Sequence, residues 1–252
     1  MLTLGDGESP PQPMNDAVLQ IRDVQKQYGA LRPLRLRSLD VMPGATVALV
    51  GLDAAAAEIF VNLVTGSMLP DTGQVRVFGV DTSAIDDAED WLRRLDRFGI
   101  LSDRAVLLDA LTAAQNLAMT FSLAVDAIPP EVRTAVEALA QDVGLASDVL
   151  ERKVADLSTL DRARVRLGRA VALAPDLLVM EHPTANLGGT DVQPFARDLR
   201  RLADGRGLTA VAVTADARFA SAITSDVRRL QPATGDLVAE TGAWDRVRRL
   251  FR

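Results

Sequence analysis

The sequence predicts an α/β fold built on a mostly parallel sheet, and three observations carry that prediction. Three short apolar runs, Thr46–Val50, Leu177-Leu178-Val179-Met180 and Thr209-Ala210-Val211-Ala212-Val213-Thr214, lack the alternation of a half-solvated strand, so each is expected to be buried on both faces. Stretches with helical spacing separate them, which implies crossover connections and parallel pairing. The first run stops at Gly51 and a helix begins at once at Asp53, a strand–turn–helix junction that turns backbone N–H groups toward one point.

The elements follow in order. Residues 17–28 read as a strand ending near Tyr28, and Leu34-Arg35-Leu36-Arg37 alternates as a half-solvated antiparallel strand does. Pro43-Gly44 is a turn, and the helix after Gly51 runs to about Thr65. Pro70-Asp71-Thr72-Gly73 is a second turn before a short strand carrying Val75, Val77 and Phe78. Residues 84–156 read as a mostly helical insertion. Residues 86–98 form a charged helix with Trp91, Leu92 and Leu95 on one side, and Pro129-Pro130 opens another that continues through Val132, Val136 and Leu139. A basic helix spans 158–172. Residues 1–16 read as a disordered tail, and residues 241–252 as a C-terminal helix with Trp244, Val247 and Phe251 on one face.

Composition narrows the chemistry. The 252 residues are 48% hydrophobic and 25% charged, enough apolar surface for a sizeable core. The net charge of −6 disfavours binding to a nucleic-acid backbone. No cysteine is present, which excludes disulfides, thiolate catalysis and cysteine zinc sites; His182 is the one histidine, which excludes a multi-histidine metal site. No apolar run approaches the ~20 residues that span a bilayer, and the start of the chain lacks the basic and apolar regions of a signal peptide. The expectation is a cytosolic protein without direct membrane insertion.

The order of the pieces resembles the nucleotide-binding subunit of ATP-binding-cassette (ABC) transporters over roughly residues 17–240. VALVGLDAAAAEIFVNLVTGSMLPDTGQVRVFG resembles the family's strand, phosphate loop, helix and hairpin. LSTLDRARVRLGRAVALAPDLLVMEHPTANL resembles its signature helix, second strand and following loop, and VAVTAD the strand that leads to the switch histidine. The resemblance implies a P-loop NTPase-like ABC ATPase core with a mostly parallel sheet, an antiparallel β subdomain and a helical subdomain insertion at about 84–156. It further implies ATP and Mg²⁺ as the family's cofactors, with a transmembrane permease and a second ABC subunit as partners. Peripheral attachment to the inner face of the cell membrane follows from the permease.

The departures from the family pattern fall in the phosphate loop, the second strand, the signature and the switch that the resemblance places at ATP. A phosphate loop reads G-x-x-x-x-G-K-[ST], its glycines and lysine holding phosphate and its hydroxyl Mg²⁺. Gly51 keeps the first glycine, but Ala56, Ala57 and Glu58 replace the second glycine, the lysine and the hydroxyl residue. Asp53 and Glu58 then bring anions to the positive end of a helix. The family's Mg²⁺ aspartate and catalytic glutamate align with Glu181 and His182, the Mg²⁺-sensing glutamine with Asp103, a later loop aspartate with Gly188, and the switch histidine with Ala215. The signature LSGGQ reads Leu157-Ser158-Thr159-Leu160-Asp161, keeping Ser158 and losing both glycines. Tyr28 sits where the family stacks adenine.

Each feature has a plainer reading. The alanine run after Asp53 is a well-capped helix start, His182 a polar residue at a strand end, and Tyr28 a packing residue. Arg162, Arg164, Arg166 and Arg169 read as an ion-paired face or a subunit interface, and Leu117, Met119, Phe121 and Leu123 as core or as a docking surface. The leading expectation is a degenerate, non-catalytic cassette that holds no cofactor or metal. Two alternatives stand beside it: an unorthodox ATPase using Glu181, His182 and an arginine in place of the lysine, and a soluble interaction protein derived from the fold.

Overall fold

The computed structural model describes residues 17–85, 87–124 and 127–240. The tail expected at 1–16 and the helix expected at 241–252 lie outside the described residues. The chain runs β1 (Leu19–Lys26), β2 (Leu34–Val41), β3 (Thr46–Val50), α1 (Ala54–Thr65), β4 (Thr72–Val77), β5 (Val80–Asp81), α2 (Ala88–Leu95), β6 (Phe98–Ser102), α3 (Ala113–Ala118) and α4 (Pro130–Asp142). It continues with α5 (Thr159–Val171), β7 (Leu177–Glu181), α6 (Val192–Arg206), β8 (Thr209–Val213), α7 (Ala217–Ile223), β9 (Val227–Leu230) and β10 (Leu237–Ala239).

Two sheets form. One is antiparallel in the order β2-β1-β4-β5; the other has six strands in the order β10-β9-β3-β8-β7-β6, parallel except for the β9–β10 hairpin at its edge. The two-sided burial expected of the apolar runs is observed. Val47 and Leu49 of β3, Leu177 and Val179 of β7, and Val211 and Val213 of β8 pack into a core shared with α1 and the antiparallel sheet. Their alternate neighbours Ala48, Val50, Leu178, Met180, Ala210 and Ala212 pack into a second core with α3, α4, α5 and α6.

The helix boundaries follow local chemistry. Asp53 caps α1, and Gly66 ends it in the left-handed conformation with its N–H donated to the Leu63 carbonyl. Thr112 and Gln115 form a reciprocal capping box at α3. Ser158 caps α5.

The segment 84–156 departs from the sequence reading. The helix expected over 86–98 is α2, which ends at Leu95, and Phe98 begins β6, which pairs in parallel with β7. Phe-Gly-Ile-Leu-Ser hides its strand character because it is an edge strand carrying a glycine, with Ile100 exposed. Nor does α2 bury an apolar face: Leu92 is exposed, and Trp91 reaches back to donate its indole N–H to the Thr65 carbonyl at 3.3 Å.

Gly99 lets β6 lie directly against α5. A Cβ at this position would overlap the Ala170 carbonyl oxygen and stand 2.9 Å from Pro175 Cγ. Gly99→Ala is therefore expected to destabilise the protein by about 1–3 kcal/mol through overpacking against backbone that has no room to move, measured as a lowered urea midpoint with an unchanged slope.

Candidate functional site

All five parallel strands point the same way, so the residues after β3, β6, β7 and β8 gather at one edge of the sheet. Gly51, Asp103, His182 and Ala215 all follow the ends of these strands.

At the end of β3, Gly51 has φ +94, and a Cβ there would press the Leu230 carbonyl oxygen at 3.3 Å. The chain reaches Asp53 two residues later. The Asp53 carboxylate accepts the Ala56 N–H at 2.8 Å, and its backbone carbonyl accepts the Ala57 N–H at 2.9 Å. The amino end of α1 thus already holds an anion, the side chain of its own cap. Ala57 is fully buried in the core. Tyr28 is half-buried at the rim of the same core, where burial and then the nearby Asp53 carboxylate push its phenol above the ordinary tyrosine range.

Between α1 and β7 lies a residue that the sequence reading did not single out. Arg104 donates from Nη1 to Glu58 Oε1 at 2.7 Å and from Nη2 to Glu181 Oε2 at 2.5 Å. Ser102 Oγ donates to the same Glu181 oxygen at 3.0 Å and accepts the Arg104 backbone N–H at 3.2 Å. One guanidinium fork therefore joins the phosphate-loop helix to the end of β7. No motif marks Arg104, which lies on a loop where spacing carries no signal.

His182 has φ +41, a left-handed backbone that a non-glycine residue adopts at some strain. Its N–H donates to the Val213 carbonyl at 2.8 Å. Its Nε2 is buried and has no hydrogen-bond partner among the described residues. Asp103 accepts from Asn186 Nδ2 at 2.5 Å and pairs with Arg166 at 3.3 Å. Ser158 is occupied as a cap: its Oγ accepts the Asp161 N–H at 3.1 Å and donates to the Asp161 carboxylate at 2.7 Å. Ala215 is exposed and Gly188 lies on an exposed turn.

The arginines of α5 have partners within the chain. Arg166 and Arg169 donate to the backbone carbonyls of Ala105 and Val106 at 3.4 and 2.8 Å, and Arg162 pairs with Asp109 at 3.5 Å. Arg164 points the other way and pairs with the mostly buried Asp198 of α6 at 2.7 Å. The apolar set in the helical segment divides: Leu117 is fully buried, whereas Phe121 and Leu123 are exposed, as are Val106 and Leu108. A cleft of about 940 Å³ lies at the opposite ends of β7 and β8, lined by Arg22, Arg97 and Arg206 among others. Those three guanidinium groups pair with Asp40, Asp176 and Asp142 respectively.

The positions that the resemblance places at phosphate are mostly anionic or apolar, and the guanidinium beside them, Arg104, is paired with two carboxylates. The helix amide at Ala56 is capped by a carboxylate, position 57 carries no cation, and Glu58 adds negative charge. Among the described residues no group of three or more histidine or acidic side chains could hold a metal ion, and no helix is long and apolar enough to cross a membrane.

The architecture is that of the phosphate-loop class of nucleotide-binding α/β domains. Residues 34–185 match the family model described as ABC transporter. The chain is 32% identical over 208 residues to an uncharacterised ABC transporter ATP-binding protein of Mycobacterium tuberculosis, a match covering 82% of this chain and 62% of the relative, less than two thirds of the latter's length. It is 32% identical over 217 residues to the lipoprotein-releasing system ATP-binding protein LolD of Anaeromyxobacter dehalogenans, covering 83% of this chain and 89% of LolD. Among solved structures it is similar to the dimeric structure of MJ0796, a bacterial ABC transporter cassette, with a TM-score of 0.72 at 21% identity over 89% of this chain and 99% of that one. It is similar also to cbiO1 from Clostridium perfringens, part of the ABC transporter complex cbiONQ, with a TM-score of 0.74 at 17% identity over 93% and 92%. The chain belongs to the ABC transporter family, as an ATP-binding (nucleotide-binding) domain.

Asp53→Ala is expected to lose about 0.5–2 kcal/mol of stability, because the Ala56 amide would lose its cap while the fold persists. Urea denaturation followed by circular dichroism measures it, and a loss well above this range would mean that Asp53 does more than cap α1.

Proposed function

We propose that this chain is a degenerate, non-catalytic ATP-binding-cassette subunit with a structural or regulatory role on a membrane permease. The observation that carries the reading is the anionic amino end of α1. The Asp53 carboxylate occupies the Ala56 amide, the lysine position is the buried Ala57, and Glu58 adds a second carboxylate one residue on. A triphosphate approaching that point meets anions where a working loop offers amides and an ammonium group. The alternative of an arginine in place of the lysine has a named candidate in Arg104, and its fork is already committed to Glu58 and Glu181.

The subunit would sit at the cytoplasmic face of a membrane through its permease, paired with a second ABC subunit of its own or another kind. The exposed Val106, Leu108, Phe121 and Leu123 support a docking role for the helical side.

Isothermal titration of the full chain with Mg-ATP tests the proposal. The expected result is no saturable heat up to millimolar nucleotide, and a micromolar dissociation constant overturns it. Ala57→Lys combined with Glu58→Ser is expected to restore part of the binding. The new lysine must run its stem out of the core to do so, so circular dichroism of the variant accompanies the titration.

A further inference from the structure

Glu58 and Glu181 belong to different elements, the second turn of α1 and the last residue of β7, and they share the single cation Arg104. The two contacts are unequal. Glu58 is about half exposed, with 49% of its side chain accessible, so its pair is screened and weak. Glu181 is only 11% exposed, so removing its cation would strand a mostly buried negative charge. Ser102 reinforces the Glu181 side by donating to the oxygen that Arg104 also binds.

The loop that carries Arg104 is held in turn. Asn186 and Arg166 bind Asp103, Arg166 and Arg169 bind the carbonyls of Ala105 and Val106, and Arg162 pairs with Asp109. Arg162, Arg166 and Arg169 stand at i, i+4 and i+7 and therefore share one face of α5. A continuous set of charged contacts runs from α1 and β7 through residues 103–109 to α5.

We propose that Arg104 is a built-in cation that ties α1 to β7 and, through residues 103–109, ties both to α5, coupling the two sides of the cassette with no nucleotide bound. This rests on the reading that the chain does not use ATP. Arg104 is then a positioning residue, acting through Glu181 and through its own loop.

Arg104→Met keeps the side-chain length and removes the charge. It is expected to lower the melting temperature by roughly 4–8 °C and to raise hydrogen exchange at the start of α1, the end of β7, residues 103–109 and α5 together. Adding Glu181→Gln to Arg104→Met is expected to recover part of the melting temperature by removing the stranded charge, a rescue that a packing role would not give. Glu58→Gln alone is expected to shift the melting temperature by less than Arg104→Met does. Should Arg104→Met not fold, Glu58→Gln/Glu181→Gln with Arg104 intact tests the same link, and looser exchange across residues 103–109 and α5 is the expected result. Wild-type melting and exchange in Arg104→Met, or in the Glu58→Gln/Glu181→Gln variant where Arg104→Met does not fold, would overturn the proposal. So would looser exchange confined to residues 103–109 without α5. Titration with Mg-ATP separates the proposal from the reading beneath it. If neither wild type nor Arg104→Met binds nucleotide, the exchange data decide the proposal alone. If wild type binds and Arg104→Met does not, Arg104 is a nucleotide ligand, and the proposal and the non-catalytic reading fall together.

Discussion

The parallel sheet is buried on both faces, and the position of every candidate group follows from that constraint. Side chains of β3, β7 and β8 alternate between two apolar cores, so a one-residue slip of any of these strands would send its whole set into the wrong core. The strand ends are fixed accordingly. Gly51, Asp103, His182 and Ala215 come to one edge whatever their own chemistry is. The apolar strands and the helices across them hold the fold, while the loops at the edge carry the site. This separation is how one architecture can keep its form while the residues facing a ligand change.

The carboxylates of Asp53, Glu58 and Glu181 at that edge would repel one another and any incoming anion if left alone. Each is answered from within the chain. Asp53 is answered by a helix amide and the positive end of α1, Glu58 and Glu181 by the fork of Arg104. The ranking of these interactions follows burial. The Arg104–Glu181 pair has the most charge to lose from solvent, the Asp53 cap is worth about 1 kcal/mol, and the exposed Arg104–Glu58 pair is worth less than that. The site closes chiefly around Glu181.

Most of this architecture was legible in the sequence because buried strands and capped helices have local causes. The run Thr46–Val50, the cap at Asp53 and the start of α4 at Pro130 each follow from a few adjacent residues. β6 was not legible, since an edge strand of five residues with a glycine and a solvent-facing isoleucine carries neither a continuous apolar run nor a clean alternation. The gathering of these residues at the strand ends was legible by position and only partly by interaction. The resemblance located Glu58, Glu181 and Asp103. Their partners Arg104, Ser102 and Asn186 arrive from loops and strand ends distant in sequence, and no periodicity predicts such meetings. The arginines of α5 show the same limit. The sequence grouped four of them as one face, and only the fold revealed that Arg162, Arg166 and Arg169 lie against residues 103–109 while Arg164 turns to Asp198.

The start of α5 completes the argument. In the ABC family that this chain resembles, ATP joins the phosphate loop of one subunit to the signature of another. Here each of those helix starts carries a cap of its own: Asp53 accepts the Ala56 N–H at the amino end of α1, and Ser158 and Asp161 exchange hydrogen bonds at the amino end of α5. Under the proposed non-catalytic reading, any pairing of this chain with a second cassette would draw its free energy from protein surface rather than from a shared triphosphate. Such pairing would not be broken by hydrolysis, which suits a subunit that holds an assembly in one state.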